Sequence, residues 1–221
     1  MQLERILQKH GFGTRKACRS MIRHERVEIG GVVVDDPFAE IPTEGLVFTV
    51  DGVDWPFCEF ATVIMHKPVG YECSRKPQHH PSVLDLLPLP LRERGLQPIG
   101  RLDEDTTGLL LITDDGQLNH QLSSAKRKVP KIYLATTKHP LDQAQIDQLL
   151  AGVLLNDEPE PIAAAGAEIV GDHLLRLTVT EGKYHQVKRM VAAVGNRVEG
   201  LHRSRIGGLA LPADLPPGQW R

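Results

Sequence analysis

The chain has 221 residues, 41% hydrophobic and 24% charged, with a formal net charge of −2. That composition excludes a disordered or fibrous chain, and no run reaches the roughly 20 uninterrupted apolar residues of a membrane span. The opening residues carry Glu4, Arg5 and Lys9 where a secretory signal would be apolar, so a cytoplasmic protein is expected.

Leu3, Ile6 and Leu7 repeat at helical spacing, Gly11-Phe12-Gly13 interrupts them, and Thr14 is placed to cap a second helix from Arg15. Arg15, Lys16, Arg19, Arg23 and Arg26 then fall within one arc of about 100°, opposite Ala17, Cys18, Met21 and Ile22. One face is expected to be basic and the other buried. Val27-Glu28-Ile29 and Val32-Val33-Val34 flank Gly30-Gly31, a two-residue hairpin signal. Charge segregates here: residues 1–26 hold seven Lys or Arg against two acids, and residues 27–60 hold eight acids and no Lys or Arg. A solvated charge run and an anion-binding face both fit the basic arc.

From Ala61 the pattern changes to mixed α and β, which places a domain boundary near residue 60. The strands expected are Ala61–Met65, Leu109–Thr113, Ile132–Thr136, Leu174–Thr180 and Val198–His202, with helices at Leu141–Leu150 and Tyr184–Val194. Their order lacks strict β-α-β alternation, so the class expected is α+β with a mainly antiparallel mixed sheet. Cys18, Cys58 and Cys73 are odd in number and lack CxxC spacing, implying neither a disulfide framework nor a zinc knuckle. The ten histidines show no repeated ligand spacing and read as surface or packing residues.

The most informative segment is Gly100-Arg101-Leu102-Asp103-Glu104-Asp105-Thr106-Thr107-Gly108, which leads into the apolar Leu109-Leu110-Leu111-Ile112-Thr113. It sets acids on a loop feeding a buried strand. On spacing alone Asp103 and Asp105 read first as turn or capping acids. A metal-dependent hydrolase built on Asp103, Glu104 and Asp105 is disfavoured, because consecutive loop residues rarely converge on one ion. Lys188 and Arg189 belong to a second basic stretch, and without further information they read as the solvated face of a helix buried through Val187, Met190, Val191 and Val194.

Residues 100–111 resemble, without a gap, the second signature motif of the pseudouridine synthases, G-R-L-D-x-x-T-x-G-L-L-L. His66-Lys67-Pro68-Val69-Gly70 is similar to the family's first motif, with His66 where Asn is usual. Lys131-Ile132-Tyr133 resembles its K-x-Y element, and Glu181 to Met190 its third motif. The first 45 or so residues look like an S4 domain, a small RNA-binding module. Lys67 to Pro81 and the pair Tyr184-His185 look more like the small-subunit rRNA enzymes of the family than the large-subunit ones.

The resemblance implies an S4-like αα-β module at 1–60 and a catalytic domain at 61–221, isomerising a uridine of small-subunit ribosomal RNA, free or in an assembling particle. It implies Asp103 as the catalytic carboxylate, Lys188 as the cation beside it and Tyr133 as the stacking aromatic. Arg101 either braces the loop or contacts phosphate. RNA contacts are expected from Arg5, Arg15, Lys16, Arg19, Arg23, Arg26 and Arg189. The reaction leaves composition and oxidation state unchanged, so no cofactor and no metal are expected, and the enzyme is expected to act as a monomer. The alternatives are a large-subunit rRNA synthase and a non-catalytic RNA-binding or ribosome-assembly protein that keeps the fold. Relatives are also expected to run a few residues beyond Trp220-Arg221.

Overall fold

The computed structural model describes residues 1–221, and the chain divides into two compact units, Met1–Thr62 with Leu87–Gln97, and Val63–Leu86 with Pro98–Arg221. No helix is long and apolar enough to cross a membrane.

The first unit opens with α1 (Leu3–Lys9) and α2 (Arg15–Arg23). Thr14 Oγ1 accepts the Ala17 N–H at 3.3 Å, the N-cap that the sequence indicated. Leu3, Ile6, Leu7, Cys18 and Ile22 are fully buried, whereas Ala17, expected on the buried side, is exposed. Helix α2 stops at Arg23 and Glu25 turns left-handed (φ 57°), so the helical arc does not carry on to Arg26. Four strands follow, β1 (Val27–Ile29), β2 (Val32–Val33), β3 (Val47–Val50) and β4 (Val53–Pro56), in the order β2-β1-β3-β4. Neither β3 nor β4 was expected. Phe48 and Val50 of β3 close the core over Val27 and the two helices.

Residues 87–97, including α3 (Leu89–Glu93), join this unit although a cut at residue 60 assigns them elsewhere. The approach is close: a Cβ on Gly11 would lie 1.9 Å from the Pro90 carbonyl oxygen, so only glycine fits there.

The chain continues with β5 (Thr62–Lys67) and β6 (Gln97–Pro98), whose first residues belong to the first unit, and the second unit holds the rest of them with β7 (Thr106–Thr113), α4 (Gly116–Ser123), β8 (Lys131–Thr137), α5 (Gln143–Ala151), β9 (Gly166–Gly171), β10 (Leu174–Val179), α6 (Gln186–Ala193), β11 (Val198–Ile206) and β12 (Leu209–Ala210). The main sheet runs β5-β7-β11-β8-β10-β9, with β12 on β11. It is mixed: β7 and β11 pair parallel, while β11–β8, β8–β10 and β10–β9 pair antiparallel.

Ile146 and Leu149 of α5 and Val187, Met190 and Val191 of α6 pack with Ala135, Leu175, Leu177 and Leu201 of the sheet. Burying each of the Leu, Ile, Val and Met side chains among them contributes about 1.5–3 kcal/mol. Asp142 starts α5 through a reciprocal capping box with Gln145. Three expected elements shift in ways that matter for the site. β7 starts at Thr106 instead of Leu109; β11 runs on to Ile206, which takes Arg203 into the sheet; and α6 starts at Gln186, because His185 is left-handed (φ 47°).

Candidate active site

The loop 100–105 is braced by a single buried side chain. Lys67, at the end of β5, is fully buried, and its Nζ donates to the carbonyl oxygens of Pro68 (3.0 Å), Asp103 (2.9 Å), Glu104 (3.3 Å) and Thr106 (2.9 Å). An ammonium has three protons, so four acceptors share them. The Gly70 N–H adds a bond to Glu104 O at 2.8 Å, and the Thr106 N–H one to Asp103 O at 3.1 Å. The loop is therefore held by its backbone, which leaves the Asp103 side chain free to face outward. His66, where the family motif has Asn, pairs its Nδ1 with Leu215 O at 2.8 Å.

Asp103 Oδ2 lies 3.2 Å from Lys188 Nζ, and Oδ1 lies 3.3 Å from His185 Nε2. Both partners come from the start of α6. The left-handed turn at His185 points its ring at the loop and stacks it under Tyr184, with ring centroids 3.8 Å apart. Lys188 also donates to Asp105 Oδ1 at 2.7 Å and Oδ2 at 2.9 Å. Burial works to discharge the Lys188 amine, yet its bonds to Asp105 and Asp103 outweigh this and raise its pKa. Burial likewise pushes Asp105 up, but Lys188 outweighs it and holds the carboxyl below its ordinary value.

Asp103 and Asp105 meet at the Lys188 amine, and Glu104 does not join them. Glu104 turns its carboxylate back onto the Asp105 N–H at 2.6 Å, and no three His, Cys, Asp or Glu side chains gather as a metal-ligand set.

Asp103 opens on a cleft of about 390 Å³ lined by Tyr133, Lys131, Arg203, Tyr184 and His185 among others. This lies within the roughly 300–1,000 Å³ of small-molecule sites. Tyr133 of β8 is 9% exposed, and its hydroxyl lies 3.4 Å from Arg203 Nη1. Arg203 of β11 is 2% exposed and donates from Nε to Leu109 O at 2.8 Å. Burial, and then Arg203, lowers the pKa of Lys131. Burial raises the pKa of Cys73, on the same wall, so it stays a thiol.

The sequence-derived residues thus divide. Asp103, Lys188 and Tyr133 line or border one cleft. Arg101 lies exposed at its rim and makes no hydrogen bond or ion pair, so of its two expected roles the loop brace falls to Lys67 and the phosphate contact is left to it as an expectation. Arg189 bonds the backbone carbonyls of Tyr184 and Asn156. In the first unit Arg5, Arg15, Lys16 and Arg23 are exposed, whereas Arg19 is paired with the buried carboxylate of Glu4 and Arg26 with Asp51. Sequence reasoning gave no role to Lys67, His185 or Arg203. For Arg203 a signal existed: it stands two residues after Leu201, in the buried phase of a strand, where a charge is out of place.

The family model for RNA pseudouridylate synthase matches residues 61–193. The ribosomal small subunit pseudouridine synthase A of Haemophilus influenzae is 37% identical over all of this chain and 95% of its own length. The proteins of the same name from Yersinia pestis and Escherichia coli K12 are 40% and 39% identical, again over the whole chain and 94% and 95% of theirs. A solved pseudouridylate synthase superposes with a TM-score of 0.70 at 36% identity, covering 100% of this chain and 95% of the other.

Proposed function

The chain belongs to the RNA pseudouridylate synthase family, and from that premise we propose that it converts one uridine of small-subunit ribosomal RNA to pseudouridine through Asp103. The observation that carries the catalytic assignment is the Asp103 carboxylate, set by a backbone-braced loop at the mouth of the cleft beside Lys188. The bond between C1′ of the sugar and N1 of the uracil breaks, the ring turns, and C5 takes the place of N1. Nothing is oxidised and the only other change is a proton moving from C5 to N1, so side chains suffice. Asp103 reacts with the substrate through its carboxylate, Lys188 stands beside it as a cation, and Tyr133 offers a face to a base drawn out of its stack.

The rRNA target is supported by the named relatives, which match along their near-whole length. The first unit serves as an S4-like RNA-binding domain, with Arg5, Arg15, Lys16 and Arg23 on phosphate. Residues 61–221 hold the catalytic machinery. The protein acts as a monomer in the cytoplasm, on ribosomal RNA or an assembling small subunit.

Mapping pseudouridine in the rRNA of cells lacking this protein tests the reading. One small-subunit site should disappear, return with the wild-type gene and stay absent with Asp103→Asn. A missing large-subunit site would name the wrong substrate. Restoration by Asp103→Asn would point to a binding protein that keeps the fold.

A further inference from the structure

Arg203 is a buried charge without a counter-ion. It is 2% exposed, Nε is bonded to Leu109 O, Nη1 has only a long contact with the Tyr133 hydroxyl, and Nη2 has no partner at all. No carboxylate forms an ion pair with it. The acids that line the cleft are engaged elsewhere: Asp103 with Lys188, Glu104 with the Asp105 N–H, and Glu72 with the N–H groups of Gln78, His79 and His80, while Glu181, next to the cleft, faces Lys183. Lys131 on the same wall bonds only to Val129 O, so it adds a second cation and no balance. A guanidinium buried this way is strongly disfavoured unless a negative charge arrives. Yet the fold commits to it: Gly108 lets β7 close to where a Cβ would sit 2.2 Å from the Arg203 carbonyl oxygen.

The missing charge has a source in the reaction. When C1′–N1 breaks, its electron pair goes to the uracil, and the charge on the ring spreads over N1, O2 and O4. The positive charge left on the sugar is met by the Asp103 carboxylate. When C5 bonds to C1′, the pair enters the new bond, the C5 proton moves to N1, and the ring is neutral again. We propose that Arg203 is a catalytic residue whose guanidinium donates to a carbonyl oxygen of the detached uracil, stabilising the anion while the ring turns against Tyr133. The inference rests on the uridine-isomerising reading above. A donor that meets charge only as it develops acts on kcat more than on binding.

The test compares the full-length wild type with Arg203→Lys and Arg203→Gln in two measurements. In single turnover on rRNA, Arg203→Gln should slow pseudouridine formation by about 10²–10³-fold, the usual loss of an oxyanion donor. RNA affinity should change by less than about threefold, and Arg203→Lys should recover part of the rate. Binding of free pyrimidines supplies the second readout. Wild type should hold 5-nitrouracil, an anion at neutral pH, at least about tenfold more tightly than neutral uracil, and Arg203→Gln should lose that preference. Should both variants fail to fold, the wild-type comparison of the two rings decides alone. Equal affinity for the two rings, or none for either, overturns the proposal, as does a folded Arg203→Gln with unchanged turnover. Wild type that makes no pseudouridine would instead fail the reading beneath it.

Discussion

Lys188 stands 3.2 Å from Oδ2 of Asp103 while its two shorter bonds, 2.7 and 2.9 Å, go to Asp105. The cation beside Asp103 is thus anchored by a neighbour, an arrangement in which one carboxylate holds the lysine and the other is left open to substrate. Lys188→Met removes a charge-assisted bond of about 1.5–3 kcal/mol, so kcat should fall roughly 10- to 100-fold. Asp105→Asn should cost less, because Lys188 remains beside Asp103. Steady-state kinetics on rRNA checks the ranking, and an Asp105→Asn defect as large as that of Lys188→Met would contradict it.

Lys67 braces the loop from beneath through four carbonyl oxygens without touching the cleft. Lys67→Met withdraws the donor these oxygens share, leaving Asp103 O and Glu104 O with only the Thr106 and Gly70 N–H groups, and a single unsatisfied buried group costs about 1–3 kcal/mol. The variant should unfold at lower denaturant by at least about 2 kcal/mol, and its kcat should drop because the Asp103 backbone is released. Urea titration and turnover, measured together, check both. Loss of turnover with unchanged stability would show that Lys67 acts on the substrate instead.

Much of this was legible beforehand. Thr14 caps α2 because a hydroxyl before a helix satisfies an orphan N–H locally, and local rules can be read from a sequence. The β3–β4 hairpin carries an equally local signal, Asp51-Gly52 between Val47–Val50 and Val53–Pro56, set within the acid-rich stretch 27–60. The place of residues 87–97 beside Gly11 is a tertiary fact without a local cause. The site divides in the same way. Asp103 stood out through its motif, whereas the roles of Lys67 and Arg203 depend on carbonyl oxygens far along the chain, which no spacing rule encodes.

Gly108 has φ 110° and faces β11 so closely that a Cβ would lie 2.2 Å from Arg203 O and 2.7 Å from Arg203 N. Both contacts are backbone, so no side chain can give way. Gly108→Ala should disrupt the parallel β7–β11 pairing, with a loss of more than the 1–3 kcal/mol typical of backbone strain alone. Thermal melting checks it, and a melting point within a few degrees of wild type would show that the two strands can separate without harm.

The same strand pair carries a pH-sensitive contact. His202 of β11 lies opposite Thr107 of β7, with its Nδ1 2.9 Å from the Thr107 Oγ1 and its ring edge-on to His66 at 5.5 Å. Burial first, and then the neighbouring His66, lowers its pKa below the ordinary 6.5. The unfolded chain therefore takes up a proton that the folded one refuses. The contribution of neutral His202 is fully present above pH 6.5 and is lost as the pH falls from there through the lowered folded value. Hydrogen exchange of the β7 and β11 amides should accelerate, beyond the intrinsic change, as the pH is taken from about 7.5 to about 5. His202→Gln keeps a hydrogen-bonding group opposite Thr107 but cannot titrate, so its exchange should follow the intrinsic rate over that window. An equal pH response in both proteins would assign the effect to another group, with His66→Gln the next variant to measure.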